Sequence, residues 1–235
     1  MRGSLLHPAR IAVIAILLCL ALLFCAVIPL HLTGQIRGAT SFEEGTWLFL
    51  PPAALRVASL GFRTVAADMA WLLTIQYIGS HFATDRKIPE LFRMVDTVVA
   101  LDPHFVEAYT LGALFMNYSG RNVSGAIAIL ERGAAANPTR WEPAHDLART
   151  YYLDLKDYRK ALHWFEVADK LPGRPHYVPR FIARLYAATG HQDTALDLWR
   201  SMRDSATSEW VREIAEREIA KLEAERHRPS AGGAR

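Results

Sequence analysis

Cysteine is scarce in this chain, and its placement excludes more than its number does. The two cysteines, Cys19 and Cys25, sit in one apolar run, and none follows residue 25. At that spacing they stand too far round a helix to bridge each other. The remainder of the chain therefore has no disulfide, no thiolate metal site and no cysteine nucleophile, and cysteine usage says nothing of redox compartment. Acidic residues are missing from the start of the chain: all 24 lie at or beyond Glu43. A strong excess of one sign is also missing, since 27 Lys and Arg leave a net charge of only +3. Nucleic-acid binders are more strongly and more locally basic, so no nucleic acid is expected as a partner.

Catalytic patterns are absent as well. The nine histidines are scattered, and no pair has zinc-motif spacing. His145 and Asp146 are sequence neighbours, which on a helix predicts side chains pointing in different directions. No phosphate loop, nucleophile elbow or glycine-rich dinucleotide turn occurs. Asn117-Tyr118-Ser119 and Asn122-Val123-Ser124 fit the glycosylation acceptor pattern, which matters only in a eukaryotic secretory pathway. The expectation is a protein with no enzymatic activity, no metal site and no cofactor.

What the chain does have is a long hydrophobic run. Ile11 to Leu32 carries no formally charged residue. As a helix it would span about 33 Å at about 1.5 Å per residue, enough to cross a hydrocarbon core of about 30 Å. The alternative is a cleaved signal peptide. Against it, the run is longer than the usual signal core of about 7–15 residues, and no small-x-small cleavage site follows. A lipoprotein signal fits less well, because Phe24 precedes Cys25 and the chain stays apolar after it. Arg2, His7, Arg10 and the terminal amine precede the run, while only Arg37 follows closely. That bias predicts a cytoplasmic tail over 1–10, a transmembrane anchor over 11–32, and the rest outside the cytoplasm, which in a bacterium is the periplasm. Hydrophobic residues make up 51% of the chain, in keeping with a membrane contribution.

Beyond a juxtamembrane segment, 33–63, the chain has an internal period. Ala126, Ala161 and Ala195 are spaced by 35 and 34 residues. Four positions on from each stand Leu130, Phe165 and Trp199, and three further come Gly133, Ala168 and Met202. Leu147-Ala148 and Tyr151 match Ile182-Ala183 and Tyr186. Breakers separate the units at Asp102-Pro103, Asn137-Pro138 and Leu171-Pro172-Gly173. Physically, the small residue lets antiparallel helices approach and the large one a turn later fills the space between pairs. Proline then ends the second helix.

These residues resemble the tetratricopeptide repeat family, whose pattern is Leu-Gly, Tyr, Gly, Ala, an aromatic, Ala and Pro over about 34 residues. The closest unit is Ile182-Ala183, Tyr186, Gly190, Ala195, Trp199, Met202. The unit Leu147-Ala148, Tyr151, Asp157-Tyr158, Ala161, Phe165, Ala168 has one extra residue in its turn. The unit Leu111-Gly112, Phe115, Ala126, Leu130, Gly133, Pro138 has two. A divergent unit precedes them, with Trp71 and Tyr77, then Leu91, Val95, Val98 and Pro103. The resemblance implies an all-α fold, a solenoid of antiparallel helix pairs. About four pairs occupy 64–205, with a capping helix over 206–226 whose stripe is Trp210, Val211, Ile214, Ala215, Ile219 and Leu222, with Ser208 as its N-cap. The tail, 227–235, contains Pro, Ser and Gly and is expected to be disordered.

Thr64 to Ala83 is hydrophobic enough to raise a second membrane span, which would return the repeats to the cytoplasm. Asp68 and Gln76 favour a buried first repeat helix instead. The segment Trp47-Leu48-Phe49-Leu50-Pro51-Pro52 would lie at a membrane interface or pack under the first repeat.

In the family, the first helix of each pair lines a concave groove that meets a partner. The resemblance places His145, Arg149 and Tyr152 on that face in one unit, and Tyr177, Arg180 and Arg184 in the next. Three arginines with exposed tyrosines suit an acidic or C-terminal carboxylate peptide, because guanidinium pairs bidentately with carboxylate. Asn117 is the single groove-type asparagine, so the two-carboxylate clamp of some co-chaperone members does not carry over. The function implied is a membrane-anchored scaffold or adaptor that recruits a protein partner into an envelope complex. The alternative is a chaperone-like holder of unfolded clients, as in cytochrome maturation, which needs a more apolar groove.

Overall fold

The structure is a computed structural model that describes residues 52–84, 87–118 and 121–227. The anchor, most of the juxtamembrane segment and residues 228–235 lie outside the described residues. Among those described there is helix and no strand. The elements are α1 (Pro52–Ala58), α2 (Arg63–Phe82), α3 (Leu91–Leu101), α4 (Val106–Tyr118), α5 (Val123–Ala136), α6 (Trp141–Thr150, continued by a π-helical turn Tyr151–Leu155), α7 (Tyr158–Asp169), α8 (Val178–Ala188), α9 (Gln192–Asp204) and α10 (Glu209–Arg226). Consecutive helices pack as α2/α3, α4/α5, α6/α7 and α8/α9, each pair against the next, with α10 closing on α9.

Burial follows the sequence period. Ala126, Ala161 and Ala195 are wholly buried, and Leu130, Phe165 and Trp199 are at most 2% exposed. The glycines of the α4/α5 unit show why nothing larger is tolerated there. A Cβ on Gly112 would stand 2.7 Å from a Val95 methyl, and one on Gly133 would stand 2.8 Å from Cγ of Tyr109. Leu111, placed in the repeat pattern beside Gly112, turns out 39% exposed, so it is Gly112 rather than Leu111 that makes the inter-helix contact.

The extra residues in two turns are absorbed locally. In the unit of family spacing, His191 N–H donates to Tyr186 C=O, five residues back. In the other two, Asp157 N–H reaches Tyr151 C=O and Asn122 N–H reaches Met116 C=O, six back in each. Left-handed backbone directly before the second helix is common to all three turns, at Arg121, Lys156 and Gly190, so it is the π turn Tyr151–Leu155 that takes up the surplus in the α6 unit. Asn122 and Asp157 then cap the second helices, accepting from Gly125 N–H at 2.9 Å and Lys160 N–H at 3.1 Å.

At the C-terminal end, Ala215, Ile219 and Leu222 of α10 bury against Ala183, Ala195, Leu196 and Trp199. Two details differ from the sequence expectation. Ser208 stands at the N-cap, but its hydroxyl makes no capping bond; its carbonyl takes Val211 and Arg212 N–H instead. Trp210 is 57% exposed and does not join the apolar stripe against α9.

Helix α2 packs on α3 through Ala67, Ala70, Thr74, Tyr77 and Ile78. No helix among the described residues is long and apolar enough to cross a membrane, α2 included.

Candidate functional site

The first helices of three successive units, α6, α8 and α10, line one cleft of about 470 Å³. All six residues singled out in the sequence border it: His145, Arg149, Tyr152, Tyr177, Arg180 and Arg184. The remaining wall is apolar and aromatic: Leu153, Phe165, Phe181, Trp210 and Ile214. A second, adjoining hollow shares Arg149 and Leu153 and runs on to Leu114, Asn117 and Tyr118 of α4. The face is thus continuous across four units.

The six residues do not play equal parts. His145 is buried and holds the cleft together rather than facing a ligand. Its Nδ1 lies 3.1 Å from Asp146 Oδ1, and its Nε2 lies 3.0 Å from the Tyr177 hydroxyl. A carboxylate only accepts, so Nδ1 donates to Asp146, and in that tautomer Nε2 accepts from the Tyr177 hydroxyl. The expectation that His145 and Asp146 diverge is corrected here: the two side chains meet at 3.1 Å. Burial raises the Tyr177 phenol above its usual range, with Asp146 adding to the rise and Arg149 opposing it. Tyr177 therefore stays a donor throughout the neutral range. The bond ties α6 to the entry of α8 across the unit boundary.

Tyr152 and Tyr177 are half-buried, not exposed. Both stand edge-on to Phe181, at 5.7 Å and 5.9 Å between ring centres, and Phe181 stacks on Phe165 at 5.3 Å. The tyrosines belong to an aromatic floor that sequence spacing alone placed outside.

The three arginines also separate. Arg149 Nε lies 3.4 Å from Asp146 Oδ1, a local pair on its own helix. Arg184 meets Glu218 of α10 at 3.0 Å and lies over the Trp199 ring. Among the described residues Arg180 makes no ion pair; its guanidinium lies 4.8 Å over the Trp210 ring. Asn117 donates from Nδ2 to Thr150 Oγ1 at 2.9 Å, so its amide joins α4 to α6.

Sequence reasoning missed Leu153, Phe181, Trp210, Ile214 and Glu218. Part of the signal was available. Adding 34 to Arg180 and Arg184 reaches Ile214 and Glu218, which places α10 in the first-helix position of the next unit, sharing the same face. Phe181 and Trp210 have no such signal, since their direction depends on how neighbouring units are rotated. Chemically, the cleft can take an apolar or aromatic side chain on its floor and one carboxylate at Arg180. No group of His, Cys, Asp and Glu able to hold a metal occurs among the described residues.

No protein-family profile matches the chain, and no curated protein matches it. Among solved structures, three of MamA show some likeness to the chain. One is 15% identical, covering 69% of this chain and 98% of that chain at a TM-score of 0.43. A second, from MamA AMB-1, is 19% identical, covering 66% and 91% at 0.41. The third is 16% identical, covering 57% and 86% at 0.40. Likeness at this level carries no argument about fold or function.

Proposed function

We propose that the chain is a non-enzymatic, membrane-anchored scaffold of tetratricopeptide type that binds a protein partner in the α6/α8/α10 cleft and supports assembly of a cell-envelope complex. The observation that carries this reading is the cleft itself. It has an aromatic floor beside a guanidinium, Arg180, that no carboxylate of the described chain neutralises. A segment with one apolar side chain and an adjacent acidic residue or C-terminal carboxylate fits it. The anchor at 11–32, the periplasmic side for the repeats and the inner-membrane location rest on hydropathy and the basic N-tail.

The second reading, a holder of unfolded clients, gains one observation: the cleft is more apolar than its arginines imply, with Leu153, Phe165, Phe181, Trp210 and Ile214 on its wall. One experiment separates the two. A photo-crosslinking amino acid replaces Leu153 in the cleft, or exposed Ser201 on α9 as a control, in the full chain in cells. The scaffold reading expects one adduct of discrete mass at Leu153, lost when Arg180→Glu is added. A spread of adduct masses that survives Arg180→Glu assigns the holder role. Adducts no stronger at Leu153 than at Ser201 reject the cleft altogether.

A further inference from the structure

The two most exposed large apolar residues of the described chain, Leu60 and Val57, stand at the N-terminal edge of the array, away from the cleft. Helix α1 ends in a tight turn: Leu60 N–H donates to Val57 C=O, and Phe62 N–H donates to Ser59 C=O. The turn holds Leu60 in left-handed backbone (φ 47°) next to Gly61 (φ 95°). That conformation is costly for a leucine, and it leaves Leu60 85% exposed, with Val57 and Phe62 close behind. The apolar surface continues along α2. Phe62, Val65, Met69 and Leu72, at spacings of three, four and three, form one stripe, each more than half exposed.

A repeat array always leaves the outer side of its first helix without a neighbour, and such ends are normally polar. This one is not. Its charge is mainly basic: from Pro52 to Leu72 the chain carries exposed Arg56 and Arg63 and a single carboxylate, the exposed Asp68. An apolar tip flanked by arginines is the composition of a surface that lies in the headgroup region, with its apolar side chains in the acyl boundary and its cations on anionic headgroups. The tip also follows the uncharged run 11–32 by the short stretch 33–51. Even fully extended, at about 3.5 Å per residue, that stretch reaches on the order of 65 Å.

We propose that the α1–α2 tip, Val57, Leu60, Phe62, Val65 and Met69 with Arg56 and Arg63, docks on an anionic bilayer surface and fixes the array's edge there. The proposal deepens the membrane-anchored reading and rests on it, but the two are separable. A protein with Cys19→Ala and Cys25→Ala receives single cysteines at Leu60, Val65, Ala15 or exposed Ser201, each labelled with an environment-sensitive fluorophore. Each full chain is reconstituted into vesicles of phosphatidylcholine and phosphatidylglycerol with or without bromine on the acyl chains.

Brominated lipid should quench probes at Leu60 and Val65 but not at Ser201, and Phe62→Glu with Arg63→Glu should abolish quenching at Val65 while Ala15 stays quenched. Quenching at Ala15 without quenching at Leu60 overturns the docking surface and leaves the anchor. Quenching at Leu60 without quenching at Ala15 keeps the surface and overturns the anchor. A blue-shifted Leu60 probe that brominated lipid does not quench overturns the proposal too. A doubled mass by light scattering then assigns the tip to a second copy, and an unchanged mass assigns it to the chain's own N-terminal segment.

Discussion

At the residue scale, the array depends on a few positions where size is fixed from both sides. Ala161 is wholly buried where α7 meets its neighbours, and Trp199 is 1% exposed between α9 and α10. Ala161→Leu should destabilise by about 1–3 kcal/mol through overpacking. Trp199→Ala should cost about 3–5 kcal/mol through lost burial and a cavity. Chemical denaturation of the full chain in detergent checks both, and unchanged midpoints would mean that the repeat register is wrong. These two residues were legible in the sequence because a recurring spacing has one physical cause, the stacking of similar pairs. Tyr152 and Tyr177 were not. A helix position specifies a direction, but whether that direction meets solvent or Phe181 depends on the neighbouring unit. The same holds for Arg184, whose charge is answered by Glu218, 34 residues away.

At the element scale, helix ends were the most readable feature. Asp102-Pro103 and Asn137-Pro138 follow directly on α3 and α5, whose last residues are Leu101 and Ala136. Proline's missing N–H and its restriction of the preceding residue explain why such pairs end helices wherever they fall. The π turn after α6 was readable only as a surplus residue. Its form, with Lys156 at φ 55°, required the structure, since a surplus residue can equally extend a loop. Helix α10 packs on α9 with Ala215, Ile219 and Leu222. It also extends the cleft, because a helix in the first-helix position has the same outward face as those before it. Trp210 and Ile214 stand on that face and complete the wall opposite Arg180.

At the scale of the whole molecule, several ties between units run through phenol groups. Tyr109 donates to the Pro103 carbonyl at the break before its unit, Tyr177 donates to His145 across α6 and α8, and Tyr186 donates to Glu166 across α8 and α7. Burial raises Tyr109, Tyr151 and Tyr177 above the ordinary phenol range, and the bond to Glu166 raises Tyr186. A folded state that holds these protons more tightly than the unfolded chain is fully stabilised below the unfolded value of about 10. That contribution is lost as pH rises through the raised folded values, because the unfolded state releases protons first. Stability should therefore fall steeply above about pH 10, read as loss of helix, and Tyr109→Phe with Tyr177→Phe should flatten the slope. If the double variant keeps the parent's slope, the phenols are not ties. Topology is tested at the same scale. Alkaline phosphatase fused after Arg226 should be active and a cytoplasmic reporter at that point silent, and the reverse sinks the single-span reading.

Periodic small and large residues and turn prolines are local or repeating patterns, so the sequence by itself determined the helical class, the stacking register and where three of the second helices stop. Only the tertiary structure decided which of those helix faces a partner could reach. The reason is physical: exposure, charge neutralisation and cleft shape are set by pairs of residues about one repeat apart, such as Arg184 with Glu218 and His145 with Tyr177. The angle between units brings such pairs into contact or keeps them apart, and no single stretch of sequence encodes that angle.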